Sequence, residues 1–367
     1  MTVLLGLPRR RISTSGAAAD LAADLAGRPA HPGLVDRFGR VATDLRVSLT
    51  DRCNLRCTYC MPADGIDPMP SGDVLTDAEV VRLVGIAVTR LGVSAVRFTG
   101  GEPLLRAGLA DIVAGAAALH DPSGARADLA LTTNAIGLAE RAATLAAAGL
   151  HRVNVSLDSL DPEVYAAVTR RPLLRRALDG IHAARDAGLA VKVNAVLVPG
   201  VNEHEAADLV SWALDAGVEL RFIEQMPLGG DRAWTRGHVV TAARTRALVA
   251  ERFDLEPHPA PREGAPAERI DVRERDGHRS GTIGIIASVT EPFCGDCRRT
   301  RLTADGAIRD CLFAHDETPL RDLLRAGATD DELADRWRAA MWRKRAGHGI
   351  DDPGFAQPAR PMSAIGG

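Results

Sequence analysis

The chain has 367 residues, 46% of them apolar, with a net charge of −3 and charged residues scattered along its length. That length is too great for one small core and points to a soluble globular protein of one large or two moderate domains. The near-balanced charge excludes a whole-protein attraction to nucleic acid or anionic membrane, and the apolar runs are too short to span a bilayer.

Residues 1–38, rich in Ala, Gly, Arg and Pro, are expected to form a loosely ordered extension. The basic run Arg9–Arg11 is not followed by the apolar stretch an export signal needs, and it reads as a solvated terminus rather than a nucleic-acid arm. A cytoplasmic protein is therefore expected. Strand-like runs follow at 45–50, 95–98, 128–133, 152–157, 190–197 and 219–224. Between them a helix is expected over 76–92, opened by a Thr76/Glu79 capping box and closed at Gly92, with others near 108–119, 138–149, 173–187 and 203–216. Six strand–helix alternations predict an α/β fold on a parallel sheet, either open or closed as a partial (βα)6 barrel over 39–228. The alternation stops near residue 226. A helix at 241–253, a polar loop at 256–268, a β-rich stretch and a helix at 331–345 then suggest a smaller C-terminal domain, 229–367.

In a parallel barrel the loops after the strands carry the chemistry. Here DRCNLRCTYCMP follows the first strand, TGGEPLLR the second, TTN the third, SLD the fourth and EQMP the sixth. Buried parallel strands are usually apolar throughout. The alternation of Asn154, Ser156 and Asp158, and of Lys192 and Asn194, instead suggests an interior polar enough to bind a ligand, or groups that satisfy one another. Gly100-Gly101 reads either as a tight turn or as a close backbone approach to a ligand.

The chain holds six cysteines in two groups of three. With no export signal they are expected to stay reduced and to act as two ligand sets. Cys53, Cys57 and Cys60 (C-x3-C-x2-C) suit zinc with a fourth ligand from elsewhere, or an iron–sulfur cube with one open iron. Cys294-x2-Cys297 and Cys311 are brought together by a hairpin turning at Asp305-Gly306. There His315 could complete a Cys3His zinc site, and the residues alone leave zinc and cluster open. Arg299 and Arg301 share one face of the strand leaving this group, and guanidinium forks suit phosphate oxygens.

The first cysteine motif, with Tyr59 before its last cysteine and GGEP one strand later, resembles the radical S-adenosylmethionine (SAM) enzymes. The wider string FGRVATDLRVSLTDRCNLRCTYCMP, with RFTGGEPLLR, TTN, NVSLD, VKVN, RFIEQMP and the C-terminal cysteines, resembles their GTP 3′,8-cyclase family, from about residue 35 to the end. That family opens molybdenum cofactor biosynthesis. The resemblance implies a partial six-stranded barrel closed by a C-terminal domain, usually as a homodimer. It implies two [4Fe–4S] clusters: one on Cys53, Cys57 and Cys60 whose open iron binds SAM, and one on Cys294, Cys297 and Cys311 facing the guanine of GTP. It further implies triphosphate contacts from Arg46, Arg299 and Arg301, other GTP contacts from Arg97, Thr132 and Lys192, and SAM contacts from Gly101, Ser156, Met226 and the Tyr59 backbone. The terminal Gly366-Gly367 would reach the active site and support catalysis. The implied chemistry is abstraction of the C3′ hydrogen of GTP by the 5′-deoxyadenosyl radical and attack of C3′ on guanine C8. An external electron donor would serve it, and the product would pass to the cyclic pyranopterin monophosphate synthase. The family's TTNG is TTNA here, with Ala135 in the glycine's place. The rivals are a peptide-modifying radical SAM enzyme, which has no need of Arg46, Arg299 and Arg301, and a zinc-stabilised binding module.

Overall fold

The computed structural model describes residue 21 and residues 23–229 and 234–366. A small hairpin of β1 (Leu34–Val35) and β2 (Val41–Ala42) precedes six strands: β3 (Asp44–Ser48), β4 (Ala95–Thr99), β5 (Asp128–Thr133), β6 (Arg152–Ser156), β7 (Ala190–Val196) and β8 (Glu219–Ile223). Each of the six pairs in parallel with the next in chain order. Their alternation has a plain cause. Leu45, Val47, Val96 and Phe98 are buried in the apolar core beneath the helices, while Arg46 and Arg97 stand on the opposite, inner face.

The crossover helices Asp77–Leu91, Leu109–Ala117, Ala142–Ala147, Leu174–Asp186 and Ala206–Ala216 lie in the stretches expected to be helical. The Thr76/Glu79 capping box is present, and Gly92 ends its helix in the left-handed conformation that a Cβ disfavours. One helix, Pro162–Thr169, was not expected. Its signal was present: the Asp161 carboxylate caps the N–H groups of Glu163 and Val164, and Pro162 opens the first turn.

The expected helix at 241–253 is shorter, Ala242–Val249, and residues 253–257 extend into a strand. The C-terminal strands are β9 (Phe253–Pro257), β10 (Glu268–Glu274), β11 (Ser280–Ile286), β12 (Arg299–Leu302), β13 (Ala307–Arg309) and β14 (Thr318–Pro319). They build no separate sheet among the described residues. β11 joins β8 in parallel and β12 joins β3 in parallel, giving the order β14-β13-β12-β3-β4-β5-β6-β7-β8-β11-β10-β9. The open edges of the six-strand unit are thus both covered by the C-terminal segment, which satisfies backbone groups an exposed edge would leave unpaired. The expected hairpin turns at Gly306, with β12 and β13 antiparallel. Helix Asp330–Trp342 packs behind it, and the buried Trp337 indole donates to Thr300 Oγ1 at 2.9 Å. No helix among the described residues is long and apolar enough to cross a membrane.

Candidate active site at the carboxyl ends of the strands

All six cysteines are free and line one cleft of about 1920 Å³, measured out to its open mouth.

The loop carrying Cys53, Cys57 and Cys60 is held mainly through its backbone. Arg56 and Thr58 donate their N–H groups to Thr169 and Val168 at the end of the helix Pro162–Thr169. Arg170 then donates to the carbonyls of Arg56 and Met61, both at 3.0 Å. The helix missed in the sequence is therefore the buttress of the first cysteine loop. Gly100 and Gly101 press on the same loop from β4. A Cβ on Gly101 would stand 2.3 Å from Arg52 O, and one on Gly100 2.4 Å from Thr50 O. Their smallness is explained by close approach to the cysteine loop itself, with Gly101 N donating to Thr50 O at 2.7 Å.

Two buried carboxylates brace the frame. Glu102 accepts from Leu104 N, Asn134 N and the Thr133 hydroxyl, tying GGEP to TTN. Asp158 accepts from the Tyr59 hydroxyl at 2.7 Å and from Val196 N at 2.8 Å. Burial pushes Asp158 up to about 6 and Glu102 up to about 7, against the hydrogen bonds that favour their ionised forms. Glu102 thus holds its proton more tightly folded than unfolded. Its protonation contributes stability that is complete below its ordinary value of 4.5 and lost as the pH rises through about 7. Resistance to denaturant is therefore expected to fall from about pH 5 to about pH 8, by on the order of 3 kcal/mol at most from this group. Glu102→Gln should flatten the fall, measured by urea unfolding across that range; an unaltered pH profile would contradict this account.

Ala135, in place of the family's glycine, has a φ of 62°. That left-handed conformation costs a residue with a Cβ roughly 1–2 kcal/mol, which is the physical reason a glycine suits the position. In this loop Asn134 donates to Asn54 Oδ1 at 2.6 Å.

The second triad sits in a different field. Lys344 and Arg299 both donate to Cys297 Sγ, at 3.2 and 3.5 Å. Burial alone would raise the Cys297 thiol, but these two cations bring it down to about 6. Burial pushes Cys60 up to about 12 and raises Cys57 well above its usual value, with Asp158 adding to both. His315, the candidate fourth zinc ligand, is exposed, and its Nε2 lies 3.1 Å from the carbonyl of Ala356. Among the described residues no three His, Cys, Asp or Glu side chains are close enough to grip one ion. Three thiolates per set, opening on a shared cleft, fit a multi-iron cluster with one iron left to a ligand.

Between the triads runs a row of arginines. Arg301, Arg46 and Arg97 stand in register on adjacent strands β12, β3 and β4. Strands are about 4.8 Å apart, so like charges in register repel. The Nε atoms of Arg46 and Arg97 are buried without a partner. Burial, then the neighbouring Arg97, lowers Arg46 to about 9; burial also lowers Arg97 to about 10, with Asp44 opposing. Arg299 lines the same wall. So does Arg221, which the sequence reading passed over although RFIEQMP contains it. Its guanidinium donates to Asn154 Oδ1 at 2.6 Å and Asn194 Oδ1 at 3.0 Å. The polar strand faces are thus both mutually satisfied and open to the cleft. Such a concentration of guanidinium groups with Asp44 as its near carboxylate suits a polyanion.

Tyr59, Gly101, Thr132, Ser156 and Met226 also line the cleft. Lys192 lies outside that lining and pairs with Glu219 at 2.7 Å. The C-terminal tail enters from the far side. Ser363 lends its backbone to Cys60, and the Gly366 carbonyl accepts from Arg301. A Cβ on Gly366 would meet Thr99 Cγ2 at 2.8 Å, and its φ is 73°. Gly367 lies outside the described residues.

A parallel barrel whose first strand loop carries C-x3-C-x2-C, with two cysteine triads on one cleft, defines the class of radical SAM enzymes. A family model of the Radical SAM superfamily matches residues 47–213, and one for Molybdenum Cofactor Synthesis C matches 218–350. The chain is 59% identical to a GTP 3′,8-cyclase of Corynebacterium glutamicum, over 91% of this chain and 89% of that protein. It is 54% identical to one from Mycolicibacterium smegmatis over the whole of both chains, and 57% to one from Streptomyces coelicolor over 91% and 96%. Among solved structures, Streptococcus suis SuiB bound to S-adenosylmethionine shares the fold with a TM-score of 0.51, at 14% identity, over 84% of this chain and 69% of that one. The chain belongs to the GTP 3′,8-cyclase family.

Proposed function

We propose that the cleft binds GTP between two [4Fe–4S] clusters and converts it to (8S)-3′,8-cyclo-7,8-dihydroguanosine 5′-triphosphate, the opening step of molybdenum cofactor biosynthesis. Cys53, Cys57 and Cys60 would hold the cluster that binds SAM, and Cys294, Cys297 and Cys311 the one that meets guanine. When bound, the first cluster and SAM would supply the 5′-deoxyadenosyl radical that takes the hydrogen from C3′ of GTP. Closure of C3′ on C8 would then require one electron and one proton to give the product, the electron coming from the external donor. The chain's own part is to position and to exclude alternatives.

Arg46, Arg97, Arg299 and Arg301 hold the triphosphate, with Arg221 at the end of their wall. Gly101, Ser156, Met226 and the Tyr59 backbone seat SAM at the first triad. Thr132 faces the nucleotide; Lys192 reaches it by exchanging Glu219 for phosphate. Gly366 keeps Arg301 aimed along the cleft, and Gly366-Gly367 close it from the C-terminal side. A homodimer, an external one-electron donor, a cytoplasmic setting that keeps the thiols reduced, and delivery to the cyclic pyranopterin monophosphate synthase complete the reading.

The observation that carries it is the in-register row Arg301–Arg46–Arg97 between the two triads. A peptide substrate does not need such a row. Anaerobic incubation with dithionite, SAM and GTP is expected to form 5′-deoxyadenosine in a GTP-dependent manner. Equal formation without GTP would sink the substrate assignment.

A further inference from the structure

Lys344 follows the helix Asp330–Trp342 and is only 3% exposed. Lysines are almost never so buried unless paired. This one directs its ammonium to Cys297 Sγ at 3.2 Å and to Arg299 O at 2.8 Å, while Asp310 acts on it only through space. Arg299 adds a second donor to the same sulfur at 3.5 Å. The first triad is set differently. Cys53 meets Leu55 N at 3.5 Å and the neutral Asn134 amide at 3.9 Å, and Asp158 faces Cys57 and Cys60. One cleft therefore holds one cysteine set whose sulfurs meet only neutral donors, with Asp158 beside it and Arg56 acting on Cys53 through space. In the other set the Cys297 sulfur meets the buried Lys344 and the half-buried Arg299, with Asp310 beside Cys311.

Reduction potentials of iron–sulfur clusters follow local charge and hydrogen bonds to sulfur. Taking up one electron adds one negative charge, which a cation hydrogen-bonded to a ligand sulfur stabilises. We infer that Lys344 is the positioning residue that sets the potential of the second cluster, its ammonium on Cys297 making that cluster easier to reduce than the first. Lys344 touches a ligand and not the substrate. The inference rests on the two-cluster reading of the cleft.

The test is a redox titration of the anaerobically reconstituted full chain, with dithionite as the one-electron source and electron paramagnetic resonance following both clusters. Added SAM marks the signal of the first. Lys344→Met is expected to move the second midpoint to more negative potential, Lys344→Gln to move it less, and Lys344→Arg to leave it near the parent value. The first midpoint should hold in all three. An unmoved second midpoint in Lys344→Met overturns the inference. If that variant fails to retain its second cluster, Lys344→Gln decides on the same criterion, and loss of the cluster even from Lys344→Arg overturns it in favour of a purely structural lysine. Uptake of only about four irons by the parent chain would overturn the two-cluster reading and this inference with it. About eight irons with no shift would overturn this inference alone.

Discussion

Cys57→Ala is expected to abolish SAM cleavage and to halve the iron content, from about eight to about four per chain. Cys57 lies at the centre of its loop, where its carbonyl accepts from both Cys60 N and Met61 N at 3.0 Å. Those backbone bonds survive the substitution, as do the contacts to Thr169 and Val168, so the loop keeps its path and only the ligand is lost. The free thiol is raised well above its usual value by burial, then by Asp158 and the two neighbouring cysteines. A thiolate in that setting needs a metal to offset its charge. Iron analysis and 5′-deoxyadenosine formation check the expectation; retained cleavage at full rate would remove Cys57 from the ligand set.

Arg46→Leu should act in opposite directions on the free and the bound protein. In the free chain Arg46 is a half-buried cation with its Nε buried, standing between Arg301 and Arg97, and desolvation with Arg97 draws it down to about 9. A cation held less tightly folded than unfolded costs stability at neutral pH, and the cost shrinks only as the pH climbs through that value. Replacing this half-buried, poorly compensated charge by an apolar side chain is expected to stabilise the free chain by on the order of 1 kcal/mol. In the proposed complex with GTP the same guanidinium would meet phosphate. Losing a buried charge-assisted contact is worth about 2–4 kcal/mol, or roughly 30- to 1,000-fold in affinity. GMP, with one phosphate, should lose much less. Thermal unfolding with and without each nucleotide reads both effects. A variant that is less stable when free and unchanged toward GTP would assign Arg46 to the scaffold.

The six-strand unit was legible because its alternation is local: apolar residues face the helices, and Arg46, Arg97 and Asn154 face inward. Both cysteine triads were legible from spacing alone. What escaped depends on pairings between distant segments. Arg301, Arg46 and Arg97 were each candidates, but that they form a row follows from β12 joining β3, which no window of sequence contains. The same long-range pairing sends the C-terminal strands to both edges of the barrel sheet. Arg221 sat unnoticed within a recognised string because only its strand was read. Lys344, in the basic stretch WRKR, reads as solvated until helix and hairpin enclose it. The helix Pro162–Thr169 is the exception, since Asp161-Pro162 is a local start signal that went unread. For Gly100-Gly101 the structure adds a third reason, close packing on the cysteine loop.

The central claim is that this cleft places C3′ of GTP against the carbon radical derived from SAM. GTP carrying deuterium at C3′, turned over anaerobically with reduced enzyme and SAM, tests it most directly. The account predicts that deuterium appears in the 5′-deoxyadenosine product, analysed by mass spectrometry. 5′-Deoxyadenosine free of deuterium, formed while the labelled GTP is consumed, would contradict it.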